Sequence, residues 1–269
     1  MSDEGDEVLL HYESVEEENR LRVGKGQIEF LRTQEVLRHH LPSRPARVLD
    51  VGGATGIHAQ WLAEDGHQVT LIDLSPRHIE IARTSLAHLG IQVEQGDARS
   101  LSLDSDSFDV VLLMGPLYHL QEPDDRLKVW QEARRVVRQG GIVIGAAISR
   151  FASLFDGLSR GYLFDPDFRE IVYRDLATGR HDNPDRQPGW FTTAYFHHPA
   201  ELRTEADTAG LTVRELVGLE GMPGWLPLSQ DRWDAPADRE TVLDGARLVA
   251  CEPSLAGLSG HLLVICEAP

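Results

Sequence analysis

Cysteine is nearly absent from this 269-residue chain: Cys251 and Cys266 are the only two, in no CxxC pair and no metal-ligand spacing. That excludes a disulfide-stapled fold and suits two reduced thiols in a cytosolic protein. Lysine is equally scarce, with Lys25 and Lys128 alone among 26 basic residues. Against these stand 43 Asp and Glu, giving a net charge of −17. A surface of that sign repels phosphate backbones and anionic membranes, and no dense Lys/Arg run offsets it. Neither nucleic acid nor membrane is expected as a partner. No stretch reaches the roughly 18 uninterrupted apolar residues of a membrane span. Met1 to Val8 is acidic and lacks the basic start of a secretory signal, so a cytoplasmic location is expected.

What is present is an ordinary globular composition, 41% hydrophobic and 26% charged. The length suits one large domain or two small ones. After an acidic tail, Ser14–Leu41 has helical spacing (Ile28, Leu31, Val36, Leu37), broken by Gly24 and Gly26 and stopped by Pro42 and Pro45. A regular alternation follows. Strands are expected at 46–51, 67–72, 91–94, 108–114 and 141–148, with helices at 57–64, 76–88 and 124–139 between them. The Val/Leu run at 108–114 reads as a strand covered on both faces. This pattern means βαβ units and a parallel sheet with right-handed crossovers. Residues 149–197 interrupt it with helical pieces at 151–162 and 166–177 and a polar stretch at 179–189, too long for plain coil, and read as an inserted helical lid. A helix at 199–209, a strand at 211–219, a helical region at 230–256 and a last strand at 261–267 complete the chain.

The chemistry gathers at the strand ends. The first strand runs into Gly52, Gly53, Ala54, Thr55 and Gly56 before a helix, and glycines at such a turn allow close backbone approach to a ligand. A tight βα turn with no ligand would look the same. Asp50, Asp73 and Asp97 stand at three consecutive strand ends, 23 and 24 residues apart. A carboxylate at the second can accept both hydroxyls of a ribose; one at the third can accept from the amino group of adenine. Taken singly, Asp73 could be a helix N-terminal charge and Asp97 a turn residue.

The run Val48-Leu49-Asp50-Val51-Gly52-Gly53-Ala54-Thr55-Gly56, then Asp73, then Gly96-Asp97-Ala98, resembles the class I S-adenosylmethionine-dependent methyltransferases. The likeness continues in Phe108–Gly115 and Glu132–Gly141 and covers about residues 45–150. It departs in having Ala54 for the family's middle glycine and Gln139 for its usual proline. The resemblance implies an α/β Rossmann-like fold with a seven-stranded, mostly parallel sheet in the order 3-2-1-4-5-7-6, its last strand antiparallel. It implies an N-terminal helical segment over 1–44 that caps the cofactor site and a methyltransferase domain over 45–269 carrying the lid. The implied cofactor is S-adenosylmethionine, with S-adenosylhomocysteine as by-product, and the implied partner a small-molecule methyl acceptor taken up by a monomer or homodimer.

The resemblance also assigns roles. Gly52, Gly53 and Gly56 line the methionine and ribose moieties, and Asp50 faces the methionine amino group. Asp73 takes the ribose hydroxyls, with Leu74 beside it. Asp97 takes the adenine amino group next to the Ala98 backbone, and Met114 offers its carbonyl to the methionine ammonium. Arg32, in Arg32-Thr33-Gln34-Glu35, looks like an arginine that pairs with the cofactor carboxylate, and Tyr12 like an N-terminal tyrosine that closes over the cofactor. A solvated helix arginine is an equal reading of Arg32.

On the acceptor side, Tyr118 and His119 follow the fourth strand directly. Histidine is the usual base where an acceptor carries a proton at neutral pH. His119 is therefore the candidate base and Tyr118 a candidate pocket wall or orienting group; a locally bonded loop histidine is the alternative. Tyr162, Trp190, Tyr195, His197 and His198 stand in the lid, and adjacent histidines without a third ligand do not make a metal site. Two other functions compete. An NAD-dependent oxidoreductase would need glycines at 52, 54 and 57, which Ala54 and Ile57 deny. A non-catalytic S-adenosylmethionine-binding regulator would carry the same motifs.

Overall fold

The apolar runs separated by helical stretches form adjacent strands of one sheet. The structure, a computed structural model, describes residues 21, 24, 26–183, 187, 189–226 and 230–269. Strands β1 (Arg47–Val51), β2 (Gln68–Asp73), β3 (Gln92–Gln95) and β4 (Phe108–Leu113) lie in the order β3-β2-β1-β4. All are parallel, with Val48 opposite Val69 on one side and Val110 on the other. β1, β2 and β4 are buried almost throughout, as strands covered on both faces must be. β3, Gln-Val-Glu-Gln, is largely exposed, and its polar side chains suit a sheet edge.

The helices follow from caps and periodicity. In α2 (Ile57–Glu64), Gly56 is the N-cap in the left-handed region. In α3 (Pro76–Ser85), Ser75 is the N-cap and accepts from the His78 backbone, with Pro76 at the first helical position. A four-residue helix, α4 (Pro116–His119), follows β4. Next, α5 (Pro123–Val136) has Asp124 and Asp125 in its first turn and Arg134 and Arg135 in its last, matching the helix dipole. Its buried residues include Val129, Trp130, Ala133 and Val136, and the chain runs on directly into β5 (Val137–Ser149). A Cβ on Gly145 of β5 would sit 2.4 Å from the Trp130 ring, so glycine alone fits there. The helix expected to Gln139 stops at Val136, because Val137 already pairs with Phe108 across a register shift, with Gly140 at φ +68°.

The C-terminal half follows the expected order. After α8 (Pro199–Thr208) come β8 (Thr212–Gly218) and β9 (His261–Glu267); β9 lies between β5 and β8. The amides of Gly140 and Ser149 bond the carbonyls of Ala268 and Gly260, so β9 runs antiparallel to β5. These seven strands give 3-2-1-4-5-7-6. The segment from 149 to 197 holds the two expected helices, α6 (Ala152–Arg160) and α7 (Pro166–Thr178). It also holds two strands the sequence reading lacks: β6 (Arg180–His181) and β7 (Ala194–His197), with Phe196 of β7 opposite Ile148 of β5. The helical region expected at 230–256 is split into α9 (Gln230–Asp234) and α10 (Pro236–Val249), because Ala235 before Pro236 takes an extended conformation.

The chain divides into two compact units. One comprises 36–146, 203–215 and 264–269; its core includes Leu49, Leu71, Leu112, Leu117, Trp130 and Ile144. The other comprises the described part of 1–35 with 147–202 and 216–263. There Ile28 of α1 (Gly26–His40) packs with Trp233 and Leu243, and the Trp233 indole donates to Gln27. Among the described residues no helix is long and apolar enough to cross a membrane.

Candidate cofactor and acceptor site

Parallel pairing of β1, β2 and β3 brings Asp50, Asp73 and Asp97 to one edge of the sheet. Between them the glycine-rich turn is tightly fixed. The Gly52 amide donates to the Ile72 carbonyl at 2.7 Å, and a Cβ on Gly52 would lie 2.7 Å from the Pro116 ring. Gly52 and Gly56 have φ of +74° and +92°, so both positions favour glycine. A Cβ on Gly53 would meet the Asp50 carboxylate at 2.6 Å. Ala54 takes φ +48°, unusual for a residue with a side chain. Its amide is held by Asp73 Oδ2 at 2.9 Å.

The acids differ in environment. Asp50 is fully buried, and neither carboxylate oxygen has a hydrogen-bond partner among the described residues. Burial, with the charge of Asp73 adding, pushes its carboxyl up to about 7. Asp73 is buried but well bonded: Oδ1 accepts from the Ser75 amide at 2.8 Å and lies 3.2 Å from His78 Nδ1. His78 escaped the sequence reading; its only signal was a Ser-Pro-x-His helix start. Leu74, next in the chain, is exposed. Asp97, beside half-buried Ala98, is gripped by Arg99, an arrangement the sequence reading also missed.

Met114 directly follows β4, and its amide donates to the Val51 carbonyl at 3.0 Å. Tyr118 and His119 lie in α4, their rings 4.6 Å apart, and the Tyr118 hydroxyl donates to the Met114 carbonyl at 3.1 Å. The end of α4 is fixed by buried Arg126, which donates to the Leu120 and Gln121 carbonyls at 2.9 and 2.8 Å and pairs with Glu205 at 2.8 Å.

The remaining expected residues belong to the other unit or lie outside the description. Arg32 is buried, its guanidinium engaged by the Leu219 carbonyl and by Glu35. Tyr12 lies outside the described residues. In the 149–197 segment Tyr162, Phe168 and Trp190 pack edge-to-face on one another, with centroids 5.4 and 5.0 Å apart. Tyr195 meets Arg150 and Glu201. Among the described residues one group has metal-ligand spacing: Glu29, Glu220 and His261, not His197 and His198. Glu220 already accepts from Ser259, from the His261 amide and beside the His261 ring.

The donor set suits an adenosine-linked amino acid. Orphaned, buried Asp50 oxygens offer acceptors to a cationic group, the Gly52 turn leaves no room for a side chain, and Asp73 and Asp97 present carboxylates beyond it.

Comparison with known proteins agrees. Residues 48–141 match the family model described as a methyltransferase domain. The ubiquinone biosynthesis O-methyltransferase of Ralstonia nicotianae is 32% identical over 185 residues, covering 68% of this chain and 69% of that one. The chloroplastic 2-methyl-6-phytyl-1,4-hydroquinone methyltransferase 2 of Oryza sativa is 38% identical over 104 residues, covering 38% and 29%. The chain thus spans about two thirds of the bacterial relative and under a third of the plant one. A solved S-adenosylmethionine-dependent methyltransferase of Thermotoga maritima, described as a possible histamine N-methyltransferase, shares the fold with a TM-score of 0.60. It is 19% identical and covers 98% of this chain and 99% of its own. The strand order, the acid-tipped strands around a glycine-rich turn and this similarity together make the chain a member of the class I S-adenosylmethionine-dependent methyltransferases.

Proposed function

We propose that the protein methylates a hydroxyl group of a small, uncharged or cationic acceptor, with His119 as general base and Tyr118 as orienting group. The carrying observation is the position of the Tyr118-His119 pair, one short turn beyond the β4 end and bonded to Met114. The bacterial and plant relatives support a hydroxyl-bearing acceptor, since their names are those of an O-methyltransferase and a hydroquinone methyltransferase. The net charge of −17 disfavours polyanionic acceptors, nucleic acid and anionic membranes as partners, and the protein is proposed to act as a cytoplasmic monomer or homodimer.

In this reading Asp73 takes the ribose hydroxyls, Asp97 the adenine amino group, and Asp50 with the Met114 carbonyl the methionine ammonium. Gly52, Gly53, Gly56, Leu74 and Ala98 line the same site. S-adenosylmethionine, when bound, supplies a methyl group activated on a sulfonium. The residues around it fix the acceptor oxygen in line, and alignment of this kind contributes up to roughly 7–11 kcal/mol. His119 accepts the acceptor's hydroxyl proton as the oxygen attacks.

The test is transfer of an isotopically labelled methyl group to a panel of phenols, amines, thiols and carboxylic acids, read by mass spectrometry. Labelling of phenols, with a pH limb near about 6.5 that His119→Asn abolishes, is the expected result. Labelling of amines or thiols alone overturns the hydroxyl assignment. A fully active variant with an unchanged profile removes His119 from the mechanism. Binding of S-adenosylhomocysteine without turnover on any acceptor favours the regulatory alternative.

A further inference from the structure

Three side chains with no part in the proposed transfer converge within the second compact unit. Glu29 comes from α1, Glu220 lies two residues beyond β8, and His261 opens β9. One atom of metal-ligating type from each lies within 4.8 Å of the other two. His261 Nδ1 stands between the carboxylates, in contact with Glu220 Oε1 and 3.5 Å from Glu29 Oε2.

The Glu220 carboxylate is aimed. Its Oε2 accepts from the Ser259 hydroxyl at 2.6 Å and from the His261 amide at 3.0 Å. Ser259 is fully buried, and its oxygen is fixed in turn by the Glu220 and Gly221 amides at 2.9 and 3.2 Å. Both supporting bonds fall on Oε2, which turns Oε1 toward His261. Hydrogen bonds of this kind orient a carboxylate that ligates a metal. Glu220 is only 6% exposed, yet among the described residues no arginine or lysine pairs with it; His261 is its cationic partner. Arg32, one turn along α1 from Glu29, directs its guanidinium to the Leu219 carbonyl and to Glu35 instead. A buried carboxylate is costly unless a cation accompanies it.

We propose that Glu29, Glu220 and His261 bind one divalent first-row transition-metal ion through His261 Nδ1 and one oxygen of each carboxylate. Zinc takes such mixed sets at about 2.0–2.2 Å, whereas calcium and magnesium favour oxygen ligands alone. Two ligands at that distance from a tetrahedral ion stand roughly 3.4 Å apart, close to the Glu29–His261 separation. Glu220 and His261 hold a proton between them; the ion takes its place, the proton leaves to solvent, and the two atoms part to admit the metal. The ion joins residues 29, 220 and 261 and so ties α1 to the ends of β8 and β9. The proposal stands independently of the cofactor reading.

Calorimetry on the full chain, stripped of metal with a chelator, tests it with Zn²⁺ and Mg²⁺ as probes. One Zn²⁺ should bind with a Kd on the order of 1 μM or tighter, at least about a hundredfold more tightly than Mg²⁺, and should raise Tm. His261→Ala and Glu29→Gln should each weaken Zn²⁺ at least about tenfold. Glu29→Gln leaves the bonds among Glu220, His261 and Ser259 in place, so it carries the comparison if His261→Ala fails to fold. His88→Ala, at an exposed histidine outside the cluster, should change nothing. Zn²⁺ affinity equal in the parent and in Glu29→Gln places the ion elsewhere and overturns the proposal, as does no Zn²⁺ binding up to about 1 mM. Mg²⁺ bound as tightly as Zn²⁺ overturns the transition-metal assignment.

Discussion

At the scale of single residues, the turn between β1 and α2 stores strain at Ala54 and charge at Asp50. A side chain at φ +48° costs roughly 1–2 kcal/mol, while glycine adds about 0.4–1 kcal/mol of unfolded-state entropy. Ala54→Gly, which restores the family's glycine, should therefore raise stability by about 0.5–1 kcal/mol, seen as a Tm gain of about 2 °C. Asp50 titrates near 7 in the fold and near 3.9 when unfolded. Its proton is held more tightly in the folded state, so its ionisation destabilises the ligand-free protein progressively from about pH 4 to about pH 7, and by a constant amount above. The stability of Asp50→Asn relative to the parent should accordingly climb across that window and level off, as urea denaturation at several pH values would show; a difference that stays flat with pH would contradict it. Asp73→Ala removes the group that anchors the Ala54 and Ser75 amides as well as the proposed ribose acceptor. A loss of at least about tenfold in S-adenosylhomocysteine affinity, near 1.4 kcal/mol, is expected by calorimetry on the folded variant.

At the scale of elements, the turn that presents Tyr118 and His119 depends on a helix further along the chain. Arg126 of α5 bonds the carbonyls that end α4 and is neutralised by Glu205 of α8. Removing one partner of a buried ion pair strands the other, so Arg126→Ala should cost about 3–5 kcal/mol in chemical denaturation. What the sequence discloses at this scale follows from range. β1, β2 and β4 can be read because their buried faces leave runs of Val, Leu and Ile, and the acids can be read because they close those runs. The Arg99 clamp cannot: in sequence Arg99 is a solvated arginine, and its second carboxylate arrives from 26 residues away. Glu205 is 79 residues from Arg126. β7 is hidden for another reason: it is four residues long and takes its strand state from pairing with the end of β5. The β5 start is misread because Arg134–Arg138 continues a helical pattern until the pairing of Val137 overrides it.

For the molecule as a whole, the charge of −17 dominates. Like charges repel more in the compact state than in the expanded chain, and the repulsion reaches about 30 Å at 10 mM salt but about 8 Å at 150 mM. Raising sodium chloride over that range should increase Tm by a few degrees; a Tm that falls would mean that attractive pairs such as Arg99–Asp97 outweigh the excess of carboxylates. The scarcity of lysine has a practical consequence. A protease that cuts only after lysine has two targets in this chain, and Lys128 lies within α5, whose backbone is closed by helical hydrogen bonds. Cleavage there requires that helix to open, so the cutting rate at Lys128 is a clock for local unfolding beneath the Tyr118-His119 turn. Slowing of that clock by S-adenosylhomocysteine would report, without any known acceptor, how far ligand binding stiffens the acceptor side.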